Sequence, residues 1–192
     1  MGYDPTGHWD WDLFGKIVVT TVVVAACLTG VGAIAAAAAV ATSTSVAVAV
    51  TTAVAAAAVS TTCGAIDGAI CAQKSGGDWR NGAMAGAIGS STGALVSSMT
   101  QPGAPADTAL RLNTAGRVAG SLVYDLTYEY FETGNISSEG VASCGIDITM
   151  DACLGTVSNY YTASVSSSII RAGVNGLIDA AIDVFQTITY FN

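Results

Sequence analysis

The pattern of hydrophobic and polar positions is dominated by a run of fifty residues, Ile17 to Ile66, without a charged side chain or a histidine. A surface helix of a soluble protein turns much of its circumference to water, so a neutral run of this length is unusual there. It is long enough for two helices that each cross a bilayer, which takes about 20 apolar residues apiece. Alanine, valine, threonine and glycine dominate, which is a weak signal for membrane insertion and a strong one for close packing.

The neutral run is predicted to form two helices separated by the small polar break Ala41–Ser45. The first, Ile17–Val40, holds ten larger aliphatic residues, which contribute on the order of −3 to −6 kcal/mol toward insertion. The second, Val46–Ile66, holds six such residues among 21, so it is expected to insert as the second arm of a hairpin. The candidate membrane-inserting residues are Val22, Val23, Val24, Leu28, Ile34, Val48 and Val54.

An alternative for the second segment is β structure. Valine and alanine alternate from Val46 to Val50, and two threonines follow. Period two with β-branched residues is typical of a strand. The alanine runs at 35–39 and 55–58 favour helix by intrinsic propensity, and helix is the interpretation adopted.

A third neutral segment follows a predicted polar loop, Asp67–Asn81, in which Asp78 is a candidate N-cap. This segment is predicted to be helical from Gly82 to about Met99. Glycines recur at three- and four-residue spacing on both flanks of the loop, which places them on one face of each helix and allows two backbones to approach closely. The pattern predicts a glycine-zipper hairpin, and its candidate helix-packing residues are Gly64, Gly68, Gly82, Gly86, Gly89 and Gly93.

The chain changes character after Gln101–Ala106, where two prolines mark the best internal boundary. A mixed-charge helix is predicted over Asp107–Glu132, with Asp107 as N-cap and Gly134-Asn135 as the stop. Aromatic residues crowd its last turns, either as the edge of a core or as interfacial anchors. Two further helices are predicted over Ser138–Tyr161 and Ser164–Phe191.

The fold prediction is therefore all-α, with three neutral helices in glycine-zipper hairpins followed by amphipathic acidic helices. It divides the chain into an N-terminal segment 1–16, a neutral helical region 17–100 and an acidic helical region 107–192. Charged residues make up 10% of the chain against a usual share of about 25%. The net charge of −8 is carried mostly by the second half, which argues against nucleic acid as a partner.

Residues that carry catalytic or metal-binding chemistry are sparse. The chain has one histidine, His8, and five cysteines without a CxxC pair, so neither a zinc site nor a full disulfide framework is expected. Asp4, Asp10 and Asp12 lie near His8 without a regular ligand spacing. The pairs Asp147–Asp151 and Asp179–Asp183 lack a basic partner and are expected to be solvated helix faces. We therefore expect no enzyme activity, no metal and no cofactor.

The opening YDPTGH, Tyr3 to His8, resembles the motif that closes the core of Rhs/YD-repeat proteins, after which their variable C-terminal region begins. The hydrophobic Ala/Gly/Val-rich segments and the GG-D-W turn within Ser75–Gly93 are similar to such C-terminal regions. The resemblance implies the released tail of a polymorphic toxin, secreted as part of a larger precursor.

Two functional hypotheses follow from these patterns. In the first, the chain is a non-enzymatic, membrane-active effector tail that inserts into a target-cell membrane or forms a pore there. In the second, it is a soluble structural or pretoxin module that oligomerises through small-residue helix faces. The expected partners are membrane lipid or copies of the chain itself, with an immunity protein as a further partner.

Overall fold

A computed structural model describes residues 10–41, 45–99 and 105–138. Within these ranges the chain forms long helices and no strand, which confirms the all-α prediction. The two helices predicted beyond Ser138 lie outside the described residues. The helices are α1 (Trp11–Ala41), α2 (Val46–Ser75), α3 (Trp79–Ser98) and α4 (Ala106–Thr133).

Helix α1 begins inside the predicted N-terminal segment 1–16, ahead of the predicted first helix. The Asp10 carboxylate accepts a hydrogen bond from the Leu13 N–H at 2.9 Å, and the Asp10 carbonyl accepts one from the Phe14 N–H. The first contact satisfies an N–H group that the first turn of a helix leaves without an intrahelical partner, and the second is the first backbone hydrogen bond of the helix. The helix therefore starts at Trp11, six residues before the predicted Ile17.

Helix α2 is continuous from Val46 to Ser75, so the strand alternative at its start is wrong. It extends nine residues past the predicted end at Ile66, and the predicted loop Asp67–Asn81 shrinks to residues 76–78. Gly76 ends the helix in the left-handed conformation, with φ of 86°. Asp78 caps α3 as predicted, because its side chain accepts from the Arg80 N–H at 2.9 Å.

Helix α4 matches its predicted span to within one residue at each end. Its N-cap is Pro105 rather than the predicted Asp107, which lies in the first turn, where a carboxylate still suits the helix dipole. Gly134, with φ of 72°, ends the helix as predicted.

Helix α3 lies at the centre and contacts the other three helices. It runs antiparallel to α2 and α4, its neighbours in sequence, and parallel to α1. The buried apolar cluster is small, and Leu13, Val23 and Val123 pack against it from the periphery. Its members are Met84, Ile88 and Phe131.

Candidate functional site

Helices α2 and α3 touch backbone to backbone through four glycines, here called the α2–α3 seam: Gly64, Gly68, Gly82 and Gly86. A Cβ atom at Gly64 would lie 2.8 Å from the carbonyl oxygen of Gly86. A Cβ atom at Gly82 would collide with the carbonyl oxygen of Gly68. Each step of four residues along α2 is matched by four residues back along α3, as an antiparallel pair requires. Only glycine fits at these positions without separating the helices.

A second contact of the same kind, the α3–α4 seam, joins Gly89 and Gly93 to Gly120 and Gly116. A Cβ atom at Gly89 would lie 2.6 Å from the Gly120 carbonyl oxygen, and one at Gly93 would lie 2.9 Å from that of Gly116. The predicted zipper residues of α3 therefore serve two partners, and Gly89 and Gly93 face α4. Gly116 and Gly120 are not among the predicted helix-packing residues, although their four-residue spacing carries the same signal.

Tyr124 lies where the two seams meet. Its Cβ is 2.9 Å from the position that a Cβ on Gly89 would occupy, and its ring edge is 3.1 Å from the corresponding position on Gly68. Its ring stacks on Tyr128 with centroids 6.0 Å apart. Tyr124 therefore fills the junction between α2, α3 and α4.

A polar clamp, formed by Lys16, Asn81 and Glu132, closes the same end of the bundle. Lys16 Nζ donates to the carbonyl oxygen of Phe131 at 2.7 Å and lies 5.6 Å above the Phe131 ring. Asn81 Nδ2 donates to the same carbonyl at 3.2 Å and to Glu132 Oε1 at 3.0 Å. A cation at the last carbonyls of α4 also complements its helix dipole. The clamp therefore ties α1 and α3 to the C-terminus of α4.

The outward side of the α1–α2 pair is broad, apolar and uncharged. Both helices are long and apolar enough to cross a membrane, and only 17% of the most apolar window of each is buried. A core helix of a soluble protein would be mostly buried. The large apolar residues that lie 40% or more exposed along the neutral run are Ile17, Val18, Val19, Val22, Val40, Val46, Val48, Val59 and Ile66.

The predicted membrane-inserting residues divide between this surface and the interior. Val22 and Val48 point outward, with exposed fractions of 62% and 59%. Val23 packs against the buried cluster, and Val54 contacts α1 beside Gly32. The remaining members are half-buried: Val24, Leu28 and Ile34.

Threonines on the outward side have their hydroxyl donors satisfied within their own helix. Thr21, Thr29, Thr51 and Thr62 are exposed, and each hydroxyl donates to the carbonyl four residues earlier at 2.7–2.8 Å. In water this bond would compete with solvent. In an apolar medium it removes a donor that would otherwise cost several kcal/mol to bury. These threonines are therefore compatible with contact with hydrocarbon.

Helix α4 has the opposite character, although it packs on the same central helix. Asp107 and Arg111 are exposed, and Arg117 and Asp125 are half-buried along the same helix. The two outer sides of the bundle thus differ sharply in polarity, and α3 lies between them.

The acidic residues considered for catalysis or metal binding have structural roles where the structure describes them. Asp10 caps α1, and Asp12 Oδ2 lies 2.8 Å from Lys16 Nζ. No cluster of metal ligands occurs in residues 10–41, 45–99 and 105–138. His8, Asp4 and the pairs Asp147–Asp151 and Asp179–Asp183 lie outside these ranges.

The cysteines of the described residues pack as small side chains and do not form a disulfide framework. Cys27 is buried, and Cys63 and Cys71 are half-buried. No disulfide joins these three. Cys144 and Cys153 lie outside the described part of the chain.

Comparison of the chain with protein-family models, curated proteins and solved structures found no match.

Proposed function

We propose that this chain is a non-enzymatic, membrane-inserting module that permeabilises a bilayer, with the α1–α2 pair as its lipid-contacting part. The observation that carries the proposal is the exposed, uncharged surface of two adjacent helices, each of sufficient length and hydropathy to cross a membrane. A soluble monomer rarely exposes a continuous apolar surface over such a length.

Lipid is the occupant of this surface that best fits its chemistry. Acyl chains require no charge and no unpaired donor, and the threonine hydroxyls already donate within their helices. The net charge of −8 provides no attraction to anionic headgroups, so binding would rest on apolar contact. We therefore expect insertion into neutral bilayers to be insensitive to salt.

The resemblance of Tyr3–His8 to the end of an Rhs/YD-repeat core extends the proposal to origin. On that basis the chain is the C-terminal effector tail of a secreted polymorphic toxin, and a neighbouring cell membrane is its target. An immunity protein that binds the module would protect the producing cell. The Ala/Gly/Val-rich segments and the GG-D-W turn within Ser75–Gly93 support this part of the proposal together with Tyr3–His8.

The test is flotation with phosphatidylcholine vesicles followed by release of an entrapped dye. We expect the chain to float with the vesicles in both low and high salt and to release dye at micromolar concentration. A vesicle-free fraction that is monodisperse in detergent-free buffer and releases no dye would refute the proposal. An apolar helical control peptide of equal length would show whether leakage needs the assembled bundle.

A second function, self-assembly, is favoured by one observation. Small residues recur every four positions on the exposed side of α1, at Ala25, Thr29, Ala33 and Ala37. This spacing allows a second helix to approach closely, in water or in lipid. A discrete oligomer in detergent-free buffer, measured by light scattering, would favour a soluble assembly module over a membrane one.

A further inference from the structure

The levels of the four helices are fixed relative to one another by contacts. Lys16 of α1 hydrogen-bonds to Asn81 of α3, and a Cβ at Gly30 of α1 would lie 2.7 Å from Leu95 Cδ1 of α3. The two contacts are 14 residues apart on both helices, so α1 and α3 are parallel and in register. On α2, Val54 and Val50 flank Gly32. These parallel and antiparallel registers allow positions on different helices to be compared by depth.

The uncharged parts of α1 and α2 occupy the same slab. Gly32 on α1 is level with the stretch between Val50 and Val54 on α2. Fifteen residues from this level toward the polar clamp, α1 reaches Ile17 and α2 reaches approximately Asp67. Charge thus begins at one level on both helices. The 21 residues from Val46 to Ile66 rise roughly 30 Å, which matches the hydrocarbon thickness of a bilayer.

Exposed aromatic side chains from three helices gather at the level where charge begins. Trp11, Trp79 and Tyr130 are 74%, 47% and 54% exposed, and they lie at the ends of α1, α3 and α4 that the polar clamp joins. The Arg80 guanidinium stands 5.7 Å above the Trp79 ring. Tryptophan and tyrosine next to charged groups are typical of the membrane–water interface.

Helix α4 places charge at the middle of this slab, on the other side of α3. Gly93 of α3 contacts Gly116 of α4. By this contact, Ala115 and Arg117 of α4 lie at a depth similar to that of Thr29 on α1 and Val59 on α2. A charged residue that faces lipid at the centre of a bilayer is energetically costly. Charged residues at that depth normally face protein or a water-filled cavity.

We infer that the intact four-helix unit spans the bilayer with α1 and α2 toward lipid and the charged side of α4 toward a water-filled interior formed between copies. The aromatic end lies at one interface, and the C-terminal end of α1 (Ala41) and the N-terminal end of α2 (Val46) lie near the other. This inference rests on the proposed membrane function and adds the orientation of the unit and the class of permeant, hydrated ions and small polar solutes.

Single-tryptophan variants test the orientation, with Trp9, Trp11 and Trp79 replaced by phenylalanine except where one is the probe. Val59→Trp and Ala115→Trp place probes at one depth on opposite sides of the unit, and native Trp79 and Val48→Trp mark the two ends. Fluorescence quenching is measured in vesicles with lipids brominated near the headgroup or deep in the acyl chain, and with aqueous iodide. Circular dichroism confirms that each variant keeps its helix content.

We expect deep bromine to quench the Val59→Trp probe several-fold more strongly than shallow bromine, and the reverse for Trp79 and Val48→Trp. Iodide should quench Ala115→Trp, and deep bromine should leave it largely unaffected. If deep bromine quenches Ala115→Trp as strongly as Val59→Trp, insertion stands and the water-facing role of α4 is refuted. If shallow bromine quenches all probes equally, the unit lies on the surface and the spanning orientation is refuted. If no bromolipid quenches Val59→Trp, the proposed membrane function itself fails.

Discussion

The α1–α2 pair and the α4 helix are two outer regions of one bundle with opposite surface chemistry. Both sides pack on α3 through small residues, with contacts close enough that a single Cβ would disturb them. Yet α1 and α2 expose valine, alanine and threonine, whereas α4 exposes Asp107 and Arg111. The comparison shows that small residues allow helices to pack closely on either side of α3, while the outward residues determine the polarity of the surface that each helix presents.

The largest effect is expected from filling the α2–α3 seam. A leucine in place of Gly82 would have to occupy space held by the backbone of Gly68 and the side chain of Ala72. Overpacking a rigid core typically costs about 1–3 kcal/mol, and contact with backbone leaves less room to relax, so we expect the upper end or more. Chemical denaturation followed by circular dichroism measures the loss.

Gly15→Leu is the matched control for this substitution, because no atom lies within 4 Å of a Cβ at that position. Leucine there should leave stability unchanged or raise it by up to about 1 kcal/mol through helix propensity. Equal destabilisation by the two substitutions would mean that the seam contributes nothing specific.

The next largest effect tests whether the α1–α2 pair and α4 face different surroundings, lipid for the first and water for the second. Val59→Asp and Ala115→Asp each add one carboxylate at an exposed position of similar depth. If only α1 and α2 face lipid, Val59→Asp should weaken vesicle binding by about 2.5–3.5 kcal/mol, roughly a hundredfold, and Ala115→Asp by little. Vesicle partition measured by flotation decides the matter, and equal weakening by both would contradict the difference between the regions.

A smaller effect is expected from the polar clamp that connects the regions. Lys16→Met removes the cation from the Phe131 carbonyl while it keeps most of the apolar stem. Hydrogen bonds to charged groups contribute about 1.5–3 kcal/mol. The free energy of unfolding should fall by a corresponding amount, measured as a lower Tm in thermal unfolding. Arg111→Met, at an exposed position of α4, is the control and should change stability by less than about 0.5 kcal/mol.

Much of the fold could be predicted from the sequence because periodicity and caps are local signals. Asp78 and Gly134 mark a helix start and a helix end as predicted, since each acts on backbone groups within a few residues. The predicted loop failed for the opposite reason. The polarity of Asp67 and Lys74 predicts a loop, but α2 continues through both residues, and Gly68 packs against Gly82 of α3. Tertiary contact thus overrides local polarity.

The candidate site also has parts that the sequence predicts and parts that it does not. The neutral run that forms the outward side of α1 and α2 is plain in the sequence. The partner of each seam glycine is not, since four-residue spacing recurs at Gly116 and Gly120 and spacing alone does not pair the helices. The polar clamp has no local pattern in the sequence that predicts it, because Lys16 and Phe131 lie 115 residues apart.

The smallest effect concerns Tyr124, where the two seams meet. Its ring edge lies 3.1 Å from the position that a Cβ on Gly68 would occupy, and its own Cβ lies 2.9 Å from the corresponding position on Gly89. Tyr124→Phe keeps the ring in this junction and removes only the hydroxyl, and a volume-conserving replacement usually costs less than about 1.5 kcal/mol. We therefore expect a loss below that limit in chemical denaturation, with Tyr130→Phe, at an exposed position, as the control. A larger loss for Tyr124→Phe would mean that the hydroxyl, and not the packing of the ring, holds the junction of the seams together.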